Sequence, residues 1–209
     1  GDTVFGETCP QYLVLDESRY DDPVEGLKFI LSPPLRAKEH QEAIWQGIKD
    51  GTLQVIATDH CSFDFHGDKQ NGKDDFTKCP NGAPGVETRM PIVFSEGVSK
   101  GRLSLNEFAA VTSTNPAKIF GMYPKKGVLA PGSDADIVLM NPDMEVTITK
   151  NILHENVDYT PYEGIQVKGW PVMTMVRGQA VVENERLQVP LGFGRYINRK
   201  PVKYTELLK

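Results

Sequence analysis

The chain has 209 residues, enough for one large domain or for a domain with a smaller companion. It is 39% apolar and 24% charged with a net charge of −5, which argues against nucleic acid or an anionic membrane as partner, since both are engaged through clustered Lys and Arg. Cys9, Cys61 and Cys79 have no tight pairing, which fits a reducing compartment, and no apolar run approaches the roughly 18 residues of a membrane span, so a cytoplasmic protein is expected.

Residues 3–7, 27–31 and 53–57 read as short strands. Each runs into a polar or proline-containing segment: Thr8-Cys9-Pro10, Ser32-Pro33-Pro34 and Thr58-Asp59-His60. Between the second and third, residues 38–49 carry Ala43, Ile44 and Ile48 at helical spacing, and Gly51 is placed to end that helix. Strand, helix and strand in this order describe a parallel βα layer, whose working face lies just past the strand ends. The opening run, Gly1-Asp2-Thr3-Val4-Phe5-Gly6-Glu7-Thr8, has no initiator Met, leader or capped helix before it and reads as a boundary inside a larger protein.

Residues 62–86 are rich in glycine and charge and lack periodicity, which predicts a long loop of the kind that is more often functional than idle. Helices are predicted over 87–98, over 104–111 with Ser104 as N-cap and Glu107 closing a capping box, and over 114–120 with Pro116 in the first turn. Beyond Gly127 the pattern changes to short strands at 135–140, 146–149, 165–168 and 172–176, with an Arg177-Gly178 turn and a return strand at 179–182. The expected division is therefore a βα portion over 1–127, a small β portion over 128–186, and an extended arm over 187–209. The arm's Phe193 and Tyr196 would pack on a neighbouring subunit.

Asp59 follows the apolar run Val55-Ile56-Ala57, so its carboxylate is held at the mouth of the layer. There it could ligate a metal ion and accept a proton from water, although the residues alone leave a turn-capping Asp equally open. Ser32, ahead of two prolines, has backbone groups free of regular pairing; a bare strand exit is the other reading. Asn81-Gly82 is a turn signal that could also present a backbone hook to a ligand. His60, Cys61, His66 and Cys79 lack the spacing of a structural zinc site. With His40 and His154 they complete a histidine complement too small for a full dinuclear centre.

Several blocks together resemble the dihydropyrimidinase/hydantoinase branch of the amidohydrolase superfamily. They are Gly6-Glu7-Thr8-Cys9-Pro10-Gln11-Tyr12-Leu13, Ser32-Pro33-Pro34-Leu35-Arg36, Ala57-Thr58-Asp59-His60-Cys61-Ser62-Phe63, Pro80-Asn81-Gly82 and Gly85-Val86-Glu87-Thr88-Arg89-Met90. Thr112-Ser113-Thr114-Asn115-Pro116-Ala117 and Gly132-Ser133-Asp134-Ala135-Asp136 extend the likeness, in order, along nearly the whole chain. The resemblance implies an α/β fold: the C-terminal part of a (β/α)8 TIM-type barrel, with its last three strands, plus part of a small β-sandwich. It implies two Zn²⁺ ions per site, held by histidines and a carboxylated lysine that would all precede Gly1. Asp59 would ligate one metal and carry the proton, and Ser32 and Asn81 would hold the substrate through their backbones.

The implied reaction is ring-opening of 5,6-dihydropyrimidines or 5-substituted hydantoins to N-carbamoyl amino acids, in a homotetramer. The piece by itself would be inactive without its N-terminal half. Non-enzymatic relatives of the collapsin-response-mediator group tend to carry alanine where Asp59 stands. Allantoinases and dihydroorotases keep the aspartate but typically lack the 73–81 stretch and the arm ending Phe193-Gly194-Arg195-Tyr196-Ile197.

Overall fold

A computed structural model describes residues 4–202; Gly1, Asp2 and Thr3 of the opening run and residues 203–209 of the predicted arm lie outside the described residues. Strands β1 (Glu7–Thr8) and β2 (Val55–Ile56) pair in parallel, Glu7 opposite Val55 and Thr8 opposite Ile56. The ladder extends at both ends, through Gln54 N–H to Gly6 O at 2.9 Å and Ala57 N–H to Thr8 O at 2.8 Å. Helix α1 (Pro10–Val14) starts on a proline, which loses nothing at a first turn whose N–H groups have no helical acceptor. Helix α2 (His40–Lys49) buries Trp45 and Ile48, with Ile44 packed alongside. The predicted face is thus rotated toward Trp45, and Ala43 is exposed. The chain leaves α2 through Gly51 at φ 80°, where a side chain would be strained.

The strand expected over 27–31 is not formed. A 3₁₀ turn occupies Glu25–Phe29, because the Asp22 carboxylate accepts the N–H groups of Val24 (2.8 Å) and Glu25 (2.9 Å) and closes the turn from its start. The alternating apolar residues Leu27, Phe29 and Leu31 are all buried, which satisfies the hydrophobic pattern of a strand without any ladder. Two rather than three parallel strands are therefore present among the described residues.

Helix α3 (Arg89–Val93) continues as a π segment, Phe94–Ser99. Helix α4 (Leu105–Ala109) begins at the expected capping box and passes through a second π segment, Ala110–Thr114, into α5 (Asn115–Ile119). Pro116 sits in the first turn of α5 and cannot donate to the carbonyl four residues back, that of Thr112. That carbonyl instead accepts from the Arg89 guanidinium at 3.3 Å.

The remaining strands form one antiparallel sheet in the order β3-β4-β5-β6: Ile137–Thr147, Gln166–Val176, Gln179–Glu183 and Arg186–Leu187. Each of the two pairs of short strands expected here is a single long strand. In β3 the register shifts between Asn141 and Glu145, so Pro142 lies in an irregularity that spares it a ladder bond. Arg177 (φ 53°) and Gly178 (φ 79°) make the expected two-residue hairpin turn; Asn184 (φ 49°) and Glu185 (φ 61°) make a second one.

Two apolar clusters share α3 as a wall. Val93 faces Leu13, Trp45, Ile56 and Phe108, while neighbouring Ile92 faces Phe29, Ile148, Tyr162 and Trp170. Sheet and helices meet at Gly169, where a Cβ would lie 2.2 Å from Cδ1 of Phe94. The arm folds back on its own chain as far as it is described. Arg177 donates to Phe193 O at 2.9 Å and covers its ring, and Lys200 N–H bonds Gly121 O at 3.0 Å. Phe193 is accordingly half-buried rather than exposed, whereas Tyr196 is exposed. No helix among the described residues is long and apolar enough to cross a membrane.

Candidate active site

The parallel strands β1 and β2 end side by side, and the chain after each turns across the same edge. After β2, Ala57 and Thr58 lead to Asp59, which adopts φ 50°, a left-handed conformation that Asp tolerates better than most residues. Thr58 secures the bend: its Oγ1 accepts His60 N–H at 3.3 Å and its carbonyl accepts the Gln11 amide at 3.4 Å. The Asp59 residue is exposed and its carboxylate makes no hydrogen bond among the described residues. Under this edge lie Cys9, 4% exposed, and buried Thr8. Burial, reinforced by the negative charges of Glu7 and Asp59, pushes the Cys9 thiol up to about 12, so it stays protonated.

Arg89 anchors the same edge from below. Its guanidinium donates to Ile56 O at 2.9 Å as well as to Thr112 O, fixing the end of β2 three residues before Asp59. Desolvation lowers its pKa, but guanidinium remains charged at any ordinary pH. Arg89 belongs to a block noted for family likeness; its work as a clamp on two carbonyls has no signature in spacing.

His60 has a defined tautomer. Nδ1 accepts the backbone N–H groups of Gly85 (3.1 Å) and Val86 (3.3 Å), which puts the ring proton on Nε2. Glu155 Oε1 is 3.8 Å from that Nδ1. A nitrogen already accepting two donors has no proton to offer, so this proximity is not a charged hydrogen bond. Glu155 Oε1 accepts Glu87 N–H at 3.0 Å instead, and its buried Oε2 has no partner among the described residues.

Ser32 and Asn81 are brought together directly: the Asn81 amide donates to the Ser32 hydroxyl at 2.7 Å. Gly82 N–H bonds Ile30 O at 3.0 Å, holding the two segments side by side. Both residues are exposed, and neither the Ser32 carbonyl nor the Asn81 N–H is used by another described residue. An open acceptor and an open donor therefore stand on facing segments. Beside them lies a cavity of about 470 Å³ bounded by Tyr20, Leu31, Pro34 and Phe76. Tyr12 connects this pair to the Asp59 edge. Its hydroxyl donates to Pro33 O at 2.8 Å, and its pKa is raised, first by burial and further by the negative charge of Asp59.

Asp59 offers a free oxygen donor of the kind a divalent ion takes, but among the described residues no group of three or more His, Cys, Asp and Glu could hold a metal ion. His60, Cys61, His66 and Cys79 do not converge. Cys79 is buried with its thiol directed at Leu27 O, Cys61 is exposed, and His66 packs edge-on against Phe65.

A profile of the Amidohydrolase family matches residues 14–181. A D-hydantoinase of Geobacillus stearothermophilus is 50% identical over 209 residues, all of this chain and 44% of that protein. A D-phenylhydantoinase of Escherichia coli (strain UTI89 / UPEC) is 49% identical over 198 residues, covering 95% of this chain and 43% of its own length. The crystal structure of dihydropyrimidinase from Brevibacillus agri NCHU1002 superposes with a TM-score of 0.93 at 52% identity, over 95% of this chain and 43% of that one. The chain thus spans less than half the length of the proteins it matches.

Proposed function

The chain belongs to the amidohydrolase family and has part of its TIM-barrel-type fold, and from that premise we propose that the whole protein hydrolyses the ring amide of 5,6-dihydropyrimidines or 5-substituted hydantoins, giving N-carbamoyl amino acids. The observation that carries this reading is the pairing of two open backbone groups, Ser32 C=O and Asn81 N–H, at one edge with the unengaged carboxylate of Asp59. A cyclic amide or imide presents an N–H and a C=O side by side, the complement of that acceptor and donor.

In this mechanism the Ser32 carbonyl accepts the ring N–H and the Asn81 N–H donates to a ring oxygen, so the ring is held by groups that need no side-chain reorganisation. Water adds to the ring carbonyl carbon while Asp59 takes its proton; the C–N bond then breaks as Asp59 returns that proton to the departing nitrogen. One water is consumed, one N–H and one carboxylic acid are made, and the acid then loses its remaining proton to solvent. Arg89 keeps the Asp59 edge in place through Ile56 O, and the Nε2–H tautomer of His60 presents a donor next to the same turn. Two Zn²⁺ ions, with Asp59 as one ligand and the rest supplied outside this chain, would make the water acidic and polarise the carbonyl.

The same reading assigns residues 1–127 to the barrel and 128–186 to the flanking β portion, with the arm over 187–209 as an oligomer contact in a cytoplasmic homotetramer. The test is ring-opening of 5,6-dihydrouracil and hydantoin by the full-length protein, with and without added Zn²⁺. Metal-dependent turnover is expected; a protein loaded with metal that opens neither ring would remove the proposal.

A further inference from the structure

Lys69 is 0% exposed, an unusual state for a lysine, and among the described residues its ammonium is bound by carbonyls and not by a carboxylate. Its Nζ donates to Ile30 O at 2.9 Å and to Pro80 O at 2.7 Å. The Phe63 ring lies 5.9 Å away on a further side. The backbone holds the residue in place: Lys69 N–H bonds Asp64 O at 3.0 Å, opening a 3₁₀ turn over Lys69–Gly72. Gly72 ends that turn against Cys79, so closely that a Cβ would fall 2.4 Å from the Cys79 Cβ.

The two carbonyls it binds are not arbitrary. Pro80 C=O and Asn81 N–H belong to one peptide unit, and in a trans peptide they point in opposite directions. Drawing Pro80 O down onto the ammonium therefore turns the Asn81 N–H away from the interior, toward the Ser32 segment and the open edge. Ile30 lies two residues ahead of Ser32, and its carbonyl also accepts Gly82 N–H, so the same cation fixes the spacing of the two segments.

We propose that Lys69 is a positioning residue for ring recognition, its buried ammonium orienting the Asn81 N–H donor and setting its distance from the Ser32 carbonyl. The inference rests on the ring-hydrolase reading above and adds to it a residue that touches neither substrate nor water. Burial lowers the Lys69 pKa, yet the neutral amine would keep two N–H donors, so both carbonyls stay bound in either form.

The experiment compares full-length, metal-loaded wild type with Lys69→Met, which keeps most of the side chain's length and apolar volume and removes its donors, and Lys69→Gln, which keeps two. Lys69→Met should raise KM for 5,6-dihydrouracil about tenfold while kcat falls by less than about threefold, and Lys69→Gln should recover part of the KM. If Lys69→Met does not fold, the KM of Lys69→Gln, still above wild type, decides the matter alone. A wild-type KM in the folded variants, with kcat lowered in step with the folded fraction, would show that Lys69 only fills space and would overturn the inference while wild-type turnover leaves the ring-hydrolase reading intact. A wild type that opens no ring would take both down together.

Discussion

The amide of Asn81 donates to the hydroxyl of Ser32 across 2.7 Å, joining residues 49 apart in sequence. Each side chain is thereby occupied by the other, and the backbone groups of the pair are left for a ligand. Asn81→Ala removes the tie and keeps the backbone. With a hydrogen bond contributing about 0.5–1.5 kcal/mol, KM for the ring substrate should rise roughly two- to tenfold with kcat nearly unchanged. Steady-state kinetics on the full-length protein reads this directly, and an unchanged KM would mean that the tie does not shape the site.

Arg89 donates to the carbonyls of two buried residues, Ile56 and Thr112. Arg89→Met should destabilise the protein by roughly 2–4 kcal/mol, the cost of stranding those acceptors. Urea denaturation measures it; a midpoint equal to wild type would contradict the clamp.

Gly169 and Gly178 both have positive φ, 101° and 79°, but differ in surroundings. A Cβ at Gly169 meets Phe94 at 2.2 Å, whereas one at Gly178 has nothing nearer than 3.9 Å. Gly178→Ala should lose only about 1 kcal/mol from backbone strain, and Gly169→Ala about 2–4 kcal/mol, since overpacking adds to it. Equal losses in thermal or urea unfolding would show that the contact between sheet and helix is not tight.

His154 is held by Glu87, with Nδ1 2.7 Å from Oε1, and Nε2 lies 3.2 Å from Glu185 O. The hydrogen bond and charge of Glu87 raise its pKa above the ordinary 6.5. The folded state therefore binds the proton more tightly, so the stabilisation is fully present below about pH 6.5 and fades as pH rises through the raised value. The ring is largely exposed, so the effect is small. The stability difference between wild type and His154→Gln should be larger at about pH 6 than at about pH 8.5. A difference independent of pH would contradict the ion pair.

Features governed by near neighbours were legible in the sequence. The Ser104–Glu107 capping box, the end of α2 at Gly51 and the Arg177-Gly178 turn each depend on residues within a few positions, and each forms as expected. Alternation of Leu27, Phe29 and Leu31 points to a strand over 27–31, but it records burial, not pairing, and the Asp22 carboxylate decides for a 3₁₀ turn. Asp59, Ser32 and Asn81 could be singled out because each follows a strand-like run or lies in a turn. What joins and supports them could not. Lys69 and Arg89 act on carbonyls contributed by distant segments, and nothing in local spacing marks a charged residue that will be buried against peptide oxygens.

In the proposed ring hydrolysis, Asp59 moves the proton. The most direct test is turnover of 5,6-dihydrouracil by full-length wild type and Asp59→Asn, each with its metal content measured. Metal-dependent ring-opening is expected in the wild type, with a loss of roughly 10²- to 10⁴-fold in kcat in the variant, the range a general base contributes. An Asp59→Asn protein that turned over as fast as wild type would contradict it.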